Sequence, residues 1–361
     1  MKNIIIFMPS VEGGGVEKNF FLISNYLATK LNNISIITAE KNLNKKISNK
    51  INIIRPKSDY WRNNGRLRKY LICIFLLIRF IFIKKNVLVF SFQANIYAIV
   101  ISRLLRVKII SRSNSSPTGW SQNFFKNLVY KIGLNLANKV IVNSLEFKKE
   151  IFKKFNVNSV CIYNPLNVKE ILKLSKKKIL NFPKNPKILN IINVGRLVDQ
   201  KDHLTLLKAI NKIKNKINFK LLIIGRGKNK KNLQKYIKEN KLNKKVKILY
   251  TDNPFPYILK SDLFILSSRF EGLPNVLLES ICLKKFIISS SCPTGPKEIL
   301  DRNKGGILFE PNNSNDLAKK ILFYEKNKKI LKKKSIYAYK RLIRFDYNIN
   351  LEKYYKVIKD I

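Results

Sequence analysis

Short apolar runs alternate with longer stretches of helical periodicity along almost the whole chain. Runs of strand length occur first at 3–9, 34–38, 87–92, 108–113 and 139–144. After a break they return at 188–195, 219–227, 246–251, 263–268, 286–290 and 306–310. Helical patterns lie at 16–31, 67–83, 95–105, 121–136, 203–216, 229–240, 254–260, 274–284 and 296–301, and most of the tail from 315 to 361 is also helical in pattern. This alternation predicts an α/β protein with buried parallel strands and crossover helices.

The break in the alternation predicts two domains. A lysine-rich, proline-containing segment at 173–187 follows the first series of runs. We assign 1–175 to an N-terminal Rossmann-like domain, 176–187 to a linker and 188–335 to a C-terminal Rossmann-like domain. The helical tail at 336–361 could pack back on the N-terminal domain. Because ligands bind at the carboxyl ends of strands in doubly wound sheets, we expect the two domains to face each other across a cleft.

Composition indicates a globular protein with one unusual feature. Hydrophobic residues make up 45% of the 361 residues, and no apolar run reaches the length of about 18 that a membrane span needs. The first ten residues have the pattern of a strand rather than of a signal peptide. The four cysteines show no paired or metal-type spacing, which indicates a reducing compartment and a cytoplasmic protein. The unusual feature is the formal net charge of +50.

Two readings of this charge remain open. A strongly positive field attracts nucleic acid, anionic lipid head groups or phosphorylated substrates. The same excess also follows from codon bias toward A and T, because Lys, Asn and Ile are abundant together, and most lysines would then lie on solvated helix faces. If the charge has a specific use, membrane association ranks above nucleic-acid binding, because no nucleic-acid-binding motif accompanies it.

Two loops at predicted strand-to-helix junctions carry residues that suit phosphate. In SVEGGGVEK, at 10–18, the glycines let the backbone approach a ligand at a helix N-terminus. A plain tight turn is the alternative, and the lack of G-x-G-x-x-G spacing disfavours a nicotinamide site. In NVGRLVDQKDH, at 193–203, Arg196 and Lys201 stand where a guanidinium and an ammonium could bind one diphosphate.

A third segment, SRFEGLPNVLLES at 268–280, places two carboxylates around a Gly-Leu-Pro turn. Pro274 suits the first position of a helix, which puts Glu271 in the preceding loop and Glu279 inside the helix. Glu271 could reach a sugar beside a phosphate at the helix N-terminus, and Glu279 could bind both hydroxyls of a ribose. The alternative is a helix-dipole charge at Glu271 and a solvated helix face at Glu279. The apolar residues around Glu279 argue against that alternative, because a buried acid needs a partner.

Taken together, these segments resemble the retaining glycosyltransferases of family 4. That family is marked by E-G-x-P-x-x-x-x-E, which stands here complete as EGLPNVLLE at 271–279. GGGVEK at 13–18 and VGRLVDQKD at 194–202 match further motifs of the family. SCPTGPKEIL at 291–300 is similar to a segment of members that build bacterial surface glycans on lipid carriers. The likeness covers nearly the whole chain, most specifically 190–310, and implies the GT-B fold of two Rossmann-like domains.

The resemblance also implies a role for each matching residue. Arg196 and Lys201 would neutralise the donor diphosphate and stabilise the leaving nucleoside diphosphate, while Glu271 would hold sugar hydroxyls. These three are the predicted catalytic residues. The residues predicted to bind the donor are Gly14, Gly15, Gly272, Leu273, Asn275, Val276, Glu279 and, near the base, Thr251.

The acceptor side departs from the family pattern. Many members carry a histidine after a strand in the middle of domain one, where this chain reads SRSNSSP at 111–117. Arg112 or Asn114 would take its place there. The one histidine of the chain, His203, follows Lys201 at the start of a predicted helix and is expected to be structural.

From this resemblance we expect a retaining hexosyltransferase of bacterial type. It would move a hexose or N-acetylhexosamine from a nucleotide-diphosphate sugar, of the UDP or GDP type, to a lipid-linked glycan acceptor in cell-surface polysaccharide synthesis. No cofactor and no metal are expected, because the sequence has no Asp-x-Asp pair and no Asp or His cluster with metal spacing. Front-face attack, in which the departing phosphate oxygen takes the acceptor proton, would need no strong protein base.

The segment 61–85 alternates cations with an apolar run and could rest on a membrane that carries the acceptor. The protein would then be peripheral on the inner face of the cytoplasmic membrane. A core helix with basic ends is the alternative. Two other functions also stay open. A GT-B nucleotide-sugar epimerase would need further acid/base groups, and a basic nucleic-acid-binding protein would leave the motifs at 194–202 and 271–279 unexplained. With the transferase function, no nucleic-acid partner is expected.

Overall fold

The computed structural model describes residues 2–11, 13–41, 43, 46–61, 65–120, 123–179 and 187–361. These residues form two compact units, each built on one parallel sheet. Unit 1 comprises Met1–Pro165 and Asn348–Ile361, and unit 2 comprises Leu166–Tyr347. Among the described helices, none combines the length and the apolarity that crossing a bilayer requires.

Unit 1 has a seven-stranded sheet. Its strands are β1 Asn3–Phe7, β2 Ile34–Ile37, β3 Asn52–Ile54, β4 Val87–Ser91, β5 Lys108–Arg112, β6 Lys139–Val142 and β7 Ser159–Cys161. Its helices in the first part of the chain are α1 Gly15–Lys30, α2 Arg66–Ile83, α3 Asn95–Leu104, α4 Phe124–Asn135 and α5 Leu145–Phe155. The strand order is β3-β2-β1-β4-β5-β6-β7, so the direction of chain progression reverses between β1 and β4.

Unit 2 has a six-stranded sheet. Its strands are β8 Leu189–Val194, β9 Phe219–Ile224, β10 Val246–Leu249, β11 Leu263–Leu266, β12 Phe286–Ser290 and β13 Ile307–Phe309. The helices from residue 168 to the chain end are α6 Val168–Ser175, α7 His203–Ile213, α8 Lys230–Glu239, α9 Phe255–Lys260, α10 Asn275–Cys282, α11 Pro296–Ile299, α12 Ser314–Lys340 and α13 Tyr347–Lys359. The order is β10-β9-β8-β11-β12-β13, and the reversal lies between β8 and β11. Most of α13 belongs to unit 1.

The central strands form where branched and aromatic apolar residues follow one another, so that both faces of the sheet are buried. In β1, the residues from Ile4 to Phe7 are at most 2% exposed, and in β11 those from Leu263 to Leu266 are at most 1% exposed. The predicted class, an α/β protein with two Rossmann-like doubly wound parallel sheets, is confirmed.

Four described elements were not predicted. The strands β3 and β7 have only three residues each and are partly exposed, so they lack a strong apolar run. Helix α5 buries Phe147, Ile151 and Phe155, which recur at a helical period among lysines. Helix α6 ends directly before the assigned linker, and only its last three residues belong to the lysine-rich segment at 173–187.

The observed units divide the chain at different residues from the predicted domains. The predicted N-terminal domain ended at 175, but α6 packs against α9 and α10 and so belongs to unit 2. Most of the predicted linker, at 180–186, lies outside the described residues. The predicted tail at 336–361 begins inside α12, whereas unit 1 includes the chain only from Asn348 onward.

Candidate active site

The order reversal of unit 2 places β8 and β11 side by side. In doubly wound sheets, the carboxyl ends of the strands at this point form the usual ligand site. Three loops meet there, at 195–202 after β8, at 267–274 after β11 and at 291–295 after β12. Each loop carries one of the motifs found in the sequence, so the fold joins segments that are far apart along the chain.

Lys201 and Glu271 form the centre of this site. Lys201 Nζ lies 2.5 Å from Glu271 Oε1, and the two side chains are only 15% and 7% exposed. Two of the three predicted catalytic residues are therefore in direct contact. Because the pair is largely buried, each charge depends on the other for compensation.

Hydrogen bonds fix the β8 loop against the β11 loop. The Arg269 amide donates to the Gln200 carbonyl at 2.8 Å, and Gln200 Nε2 donates to the Phe270 carbonyl at 2.9 Å. Ser267 Oγ donates to the Lys201 carbonyl at 2.9 Å. Gln200 and Ser267 were not predicted as site residues, because they hold the main chain of the site and no motif reports that role.

The β12 loop supports the carboxylate side of the site. Thr294 Oγ1 donates to the carbonyl oxygens of Glu271 at 2.7 Å and of Gly272 at 3.3 Å. Gly295 has a φ of 72°, and a Cβ at this position would stand 2.3 Å from the Gly272 carbonyl oxygen. Glycine is therefore required at 295, since both the left-handed backbone and the close approach exclude a side chain. The motif at 291–300 acts as a support for the turn that carries Glu271.

Helix α10 begins directly after this turn. Pro274 is its N-cap residue and Asn275 its first helical residue, one position later than predicted and within the usual uncertainty of helix ends. The amides of Asn275 and Val276 belong to the first turn of α10. Glu279 is 7% exposed, so the alternative of a solvated helix face at this position is wrong.

The other predicted donor residues of unit 2 surround this centre. Arg196 is exposed, and its guanidinium has no ion pair or hydrogen bond with the residues that the structure describes. Thr251 follows β10, and its Oγ1 accepts a hydrogen bond from the Asn253 amide at 3.2 Å. Beside it, the Arg226 guanidinium lies 4.9 Å from the centroid of the half-exposed Tyr250 ring. This stacked pair was not predicted, although Arg226 stands in the glycine-flanked loop after β9.

The backbones of the β8 and β9 loops pack directly on each other. A Cβ at Gly225 would stand 1.9 Å from the Gly195 carbonyl oxygen, and one at Gly227 would stand 2.5 Å from the Leu197 carbonyl oxygen. The Leu197 amide also donates to the Arg226 carbonyl at 2.8 Å. Glycines 225 and 227 therefore keep the loop that carries Arg196 and Lys201 close to its neighbour.

Burial sets the protonation of two side chains near the centre. His203 is 2% exposed, and burial together with the Lys201 charge lowers its pKa to about 4. Burial and the Glu271 charge raise the pKa of the Cys292 thiol to about 12. At neutral pH the imidazole is uncharged and the thiol protonated, so neither adds charge to the site. Within the described ranges, no group of three or more His, Cys, Asp or Glu side chains is placed to hold a metal ion.

The glycine-rich loop of unit 1 follows β1, at the order reversal of its own sheet. Gly13 has a φ of 81°, and Gly14 is the N-cap residue of α1 without any side-chain cap. A Cβ at Gly14 would stand 3.0 Å from a Glu17 carboxylate oxygen. The Ser10 amide donates to Gln93 Oε1, in the loop after β4, at 3.0 Å. The loop after β1 thus presents mainly backbone.

The two residues predicted for the acceptor side differ in their environment. Arg112 is 0% exposed, and it donates from Nε to Tyr354 Oη at 2.9 Å and from Nη2 to Asn164 Oδ1 at 2.7 Å. The structure therefore places Arg112 inside unit 1 rather than on a ligand-facing surface. Asn114 lines a pocket of about 300 Å³ whose walls are mainly amide and aromatic side chains, among them Trp120.

Comparison with known proteins concerns first the part of the chain that holds this centre. Residues 173–341 match the family model described as Glycosyl transferases group 1. This part of the chain is similar to the group 1 glycosyltransferases. It contains Arg196, Lys201 and Glu271 together with the supporting loop at 291–295. The prediction of a glycosyltransferase is confirmed at this level.

Two relatives illustrate the similarity in sequence. An uncharacterized glycosyltransferase of Methanocaldococcus jannaschii is 35% identical over 182 residues, which are 48% of this chain and 44% of that protein. The N-acetylgalactosamine-N,N'-diacetylbacillosaminyl-diphospho-undecaprenol 4-alpha-N-acetylgalactosaminyltransferase of Campylobacter jejuni is 29% identical over 238 residues, 63% of each chain. The chain thus spans less than two thirds of the length of either relative.

Solved structures extend the similarity to the whole chain at the level of the fold. A glycosyltransferase from Rickettsia africae has a TM-score of 0.78 at 21% identity and covers 99% of this chain and 98% of its own. HepE from Anabaena in complex with UDP-glucose has a TM-score of 0.79 at 15% identity over 100% of both chains. At these identities the likeness concerns the GT-B fold of two Rossmann-like domains.

Proposed function

We propose that the protein is a retaining glycosyltransferase of the family 4 type. It transfers a hexose or N-acetylhexosamine from a nucleotide-diphosphate sugar to a lipid-linked glycan acceptor in cell-surface polysaccharide synthesis. The observation that carries the proposal is the Lys201–Glu271 ion pair at the carboxyl ends of β8 and β11, directly before the N-terminus of α10. A cation, a carboxylate and a helix N-terminus at one sheet edge suit a sugar attached to a diphosphate.

In this proposal the diphosphate binds to positive groups of the β8 loop and of α10. Lys201 and the exposed Arg196 neutralise the charge that develops on the leaving nucleoside diphosphate. The first-turn amides of Asn275 and Val276 bind a phosphate oxygen. Preorganised donors of this kind stabilise the transition state because they need no rearrangement as the charge develops. Neither a metal nor a cofactor has a part in the proposed reaction.

The sugar and the nucleoside would be held by the two glutamates. Glu271, with the backbone of Gly272 and Leu273, binds sugar hydroxyls, because a carboxylate accepts hydrogen bonds from several donors. Glu279, buried in α10, binds the ribose hydroxyls, and Thr251 lies toward the base. Support for Glu279 comes from its place in α10, within the helix whose N-terminus follows Glu271.

Unit 1 would contribute backbone and a binding pocket. Gly14 and Gly15, at the start of α1, are proposed to donate amides to a donor phosphate. Asn114 is proposed to contact the acceptor, because it lines a pocket of amide and aromatic side chains, which suit hydroxyl groups and sugar-ring faces. Arg112 receives no contact role, since its guanidinium is enclosed by Tyr354 and Asn164.

The relatives favour particular substrates within this proposal. The Campylobacter relative is named for a diphospho-undecaprenol-linked acceptor, which supports a lipid-linked acceptor here. HepE was solved with UDP-glucose, which favours UDP over GDP. Retention would follow from front-face attack, in which the departing phosphate oxygen takes the acceptor proton. The proton-accepting task then needs no side chain, and the protonated Cys292 thiol and the neutral, buried His203 take no part in it.

The test is calorimetric titration of the protein with UDP, GDP and ADP. We expect micromolar binding of one nucleotide, and loss of that binding in Glu279→Ala and Arg196→Ala. Lys228→Ala is the matched control, because Lys228 pairs with Asp199 in the same region but both side chains are exposed. Unchanged affinity in both site variants would overturn the donor assignment. Proton NMR of the transfer product would show the anomeric configuration and so test retention.

A further inference from the structure

Three neighbouring helices of unit 1 expose apolar side chains on their outer surface. We define the α2–α4 face by six of them, Leu71 and Phe75 on α2, Val100 and Leu104 on α3, and Phe125 and Ile132 on α4, which are 40–74% exposed. The helices lie side by side, with α3 in contact with both others, and their inner residues share one core cluster. A monomeric protein rarely leaves so many large apolar side chains together in water.

Helix α4 shows most clearly that this exposure is systematic. Its inner side is formed by Gly133 and Leu134, which are buried, and by the half-buried Tyr130. Phe124 and Phe125 are both 74% exposed, and the exposed apolar residues of the helix span an arc of about 140° at 100° per residue. An amphipathic helix normally buries such an arc, so α4 has its larger apolar side turned to solvent.

The segment of sequence that supplies this face carries charges of one sign. No Asp or Glu occurs between Asp59 and Glu146, whereas fourteen Lys and Arg do. From the composition of the whole chain, about five acidic residues would be expected over this length. On α4, Lys126 and Lys131 are exposed on either flank of the apolar arc. Lys69 of α2 is paired with Glu40, which lies outside this segment, at 2.6 Å, but the segment as a whole is strongly basic.

The two tryptophans of the chain differ in their relation to this face. Trp61 is half-buried in a 3-10 turn that contacts α2. Trp120 packs inward instead, with its ring centroid 5.9 Å from that of the buried Phe155. Tryptophan favours the boundary between an apolar phase and water, because its ring is apolar and its N–H polar, so Trp61 suits the edge of the face.

We propose that the α2–α4 face lies on the surface of an anionic lipid bilayer, with its helices in the plane of the membrane. The apolar side chains enter the boundary between head groups and acyl chains, and the flanking lysines and arginines bind the anionic head groups. The proposal deepens the function proposed above, since it rests on a lipid-linked acceptor, but its evidence is separate. The pocket that Asn114 lines is bordered by Tyr70, Tyr97 and Tyr130 of the same three helices, so an acceptor in the membrane would lie near it.

Charge and apolarity together favour a bilayer over a second copy of the chain and over nucleic acid as the partner of this face. A second copy of the chain, packed symmetrically on the same face, would bring two strongly basic surfaces together, and like charges would repel. Nucleic acid would match the charge but not the apolar centre, because protein surfaces that bind phosphate backbones are polar. An anionic bilayer satisfies both the apolar centre and the basic surroundings.

The experiment is flotation of the full chain with vesicles at physiological salt. Vesicles with about one third phosphatidylglycerol supply the anionic surface, and pure phosphatidylcholine vesicles supply a neutral one. We expect the protein to float with the anionic vesicles and much less with the neutral ones. In the triple variant Phe124→Ser, Phe125→Ser, Ile132→Ser, the membrane-bound fraction should fall at least about tenfold, because three inserting side chains are lost.

The matched control changes apolar residues of unit 2 that are also at least half exposed. Phe323→Ser with Ile330→Ser removes side chains that are 50% and 64% exposed, and it should leave flotation unchanged. Lys126→Glu with Lys131→Glu should abolish the preference for anionic vesicles, whereas Lys332→Glu with Lys333→Glu should not. The tryptophan fluorescence that Phe125→Trp adds to that of the wild type should be quenched by brominated lipids, and the fluorescence that Phe323→Trp adds should not.

Several outcomes would overturn the proposal. The proposal is wrong if the wild-type protein does not float with anionic vesicles at physiological salt. It is also wrong if the triple variant floats like the wild type. A dimer that the triple variant converts to a monomer, without a change in flotation, would assign the face to a second copy. Tight duplex-DNA binding lost in the lysine variants, again with unchanged flotation, would assign it to nucleic acid. UDP titration of the triple variant separates this test from the donor site, since nucleotide binding should be unchanged whatever flotation shows.

Discussion

The loops after β1 and after β8 hold the same topological position, at the order reversal of their respective sheets. The loop after β1 runs straight into α1 through Gly13 and Gly14, and no side chain caps the helix. The loop after β8 is longer, makes a 3-10 turn at Asp199–Lys201 and ends on Asp202, which caps α7 by accepting from the Thr205 amide at 3.3 Å. One loop offers backbone, and the other offers side chains.

The two loops therefore differ in the substitutions that they can accept without loss of ligand binding. A loop that acts through its amides depends on small residues and on its φ angles, whereas a loop that acts through a lysine depends on the partners that hold the lysine. Topology therefore locates a ligand site, but the local chemistry decides which substitutions remove it. One substitution in each of the two loops, one in the β12 loop and one acid titration of unit 2 test this comparison, and they are given from the largest expected effect to the smallest.

Lys201→Ala should have the largest effect, because it removes the central cation of the β8 loop. We expect the transfer rate to fall more than about a hundredfold, and the free energy of unfolding to fall by about 3–5 kcal/mol since Glu271 is left buried without its partner. Steady-state kinetics and urea unfolding measure the two losses. Adding Glu271→Gln should restore much of the stability and none of the activity. Lys228→Ala should change neither, and full activity of Lys201→Ala would refute the assigned role.

Acid should weaken unit 2 through His203, for which unit 1 has no counterpart. Its pKa is about 4 in the folded chain and 6.5 unperturbed. Below pH 6.5 His203 is protonated in the unfolded chain, but in the folded chain it stays neutral down to about pH 4. The free energy of unfolding therefore falls as the pH drops from 6.5 to 4. The loss should total about 3 kcal/mol. Urea unfolding from pH 7 to 4 should show it in wild type and not in His203→Leu. As His203 is the one histidine of the chain, its NMR titration is unambiguous, and a pKa near 6.5 would contradict the prediction.

Gly295→Ala should displace the loop after β11, which the β12 loop contacts at Gly272. The new Cβ would meet the Gly272 carbonyl oxygen at 2.3 Å in a backbone with φ of 72°. We expect a loss of about 1–3 kcal/mol in stability and roughly tenfold weaker nucleotide binding. Gly65→Ala is the matched control, since a Cβ there has no heavy atom within 4 Å. Equal melting temperatures for the two variants would show that the contact between these loops does not matter.

Gly14→Ala should have the smallest effect on stability, within about 0.5 kcal/mol. Its φ of 165° is extended backbone that any residue adopts, and the new Cβ meets only a Glu17 carboxylate oxygen at 3.0 Å. Nucleotide affinity should nevertheless fall a few fold, because the methyl group stands where a phosphate approaches the amides. Gly13→Ala, at a φ of 81°, should cost about 1–3 kcal/mol by comparison. A larger loss of stability in Gly14→Ala than in Gly13→Ala would reverse this reading of the loop.

The strands could be predicted where their apolar runs are continuous. The run at 286–290 coincides with β12, and that at 34–38 differs from β2 by one residue. The edge strands β3 and β7 could not be predicted, because three partly exposed residues leave no apolar pattern. The domain boundary shifted for a related reason: the assignment of α6 depends on its contacts with α9 and α10, which a local pattern does not contain.

The site residues could be predicted as members of motifs but not as a contact network. The pairing of Lys201 with Glu271 across 70 positions follows from the adjacency of β8 and β11 and from side-chain packing. The hydrogen bond from Thr294 Oγ1 to the Glu271 carbonyl could not be predicted either, because it depends on the backbone conformation of the two loops. Arg112 shows the opposite error. The prediction places this basic residue, at the end of a predicted strand, in contact with the acceptor, whereas its side chain is fully buried and donates to Tyr354 and Asn164.

The Lys201–Glu271 pair also bears on how the site would empty after a reaction. If Lys201 binds the diphosphate as proposed, that ligand replaces Glu271 as the anion beside the ammonium and leaves the carboxylate to the sugar. When the nucleoside diphosphate departs, the lysine can turn back to the glutamate 2.5 Å away rather than remain an uncompensated buried cation. The free energy recovered in re-forming the pair offsets part of the cost of product release. Re-formation of the ion pair would thus return the site to its ligand-free state between turnovers.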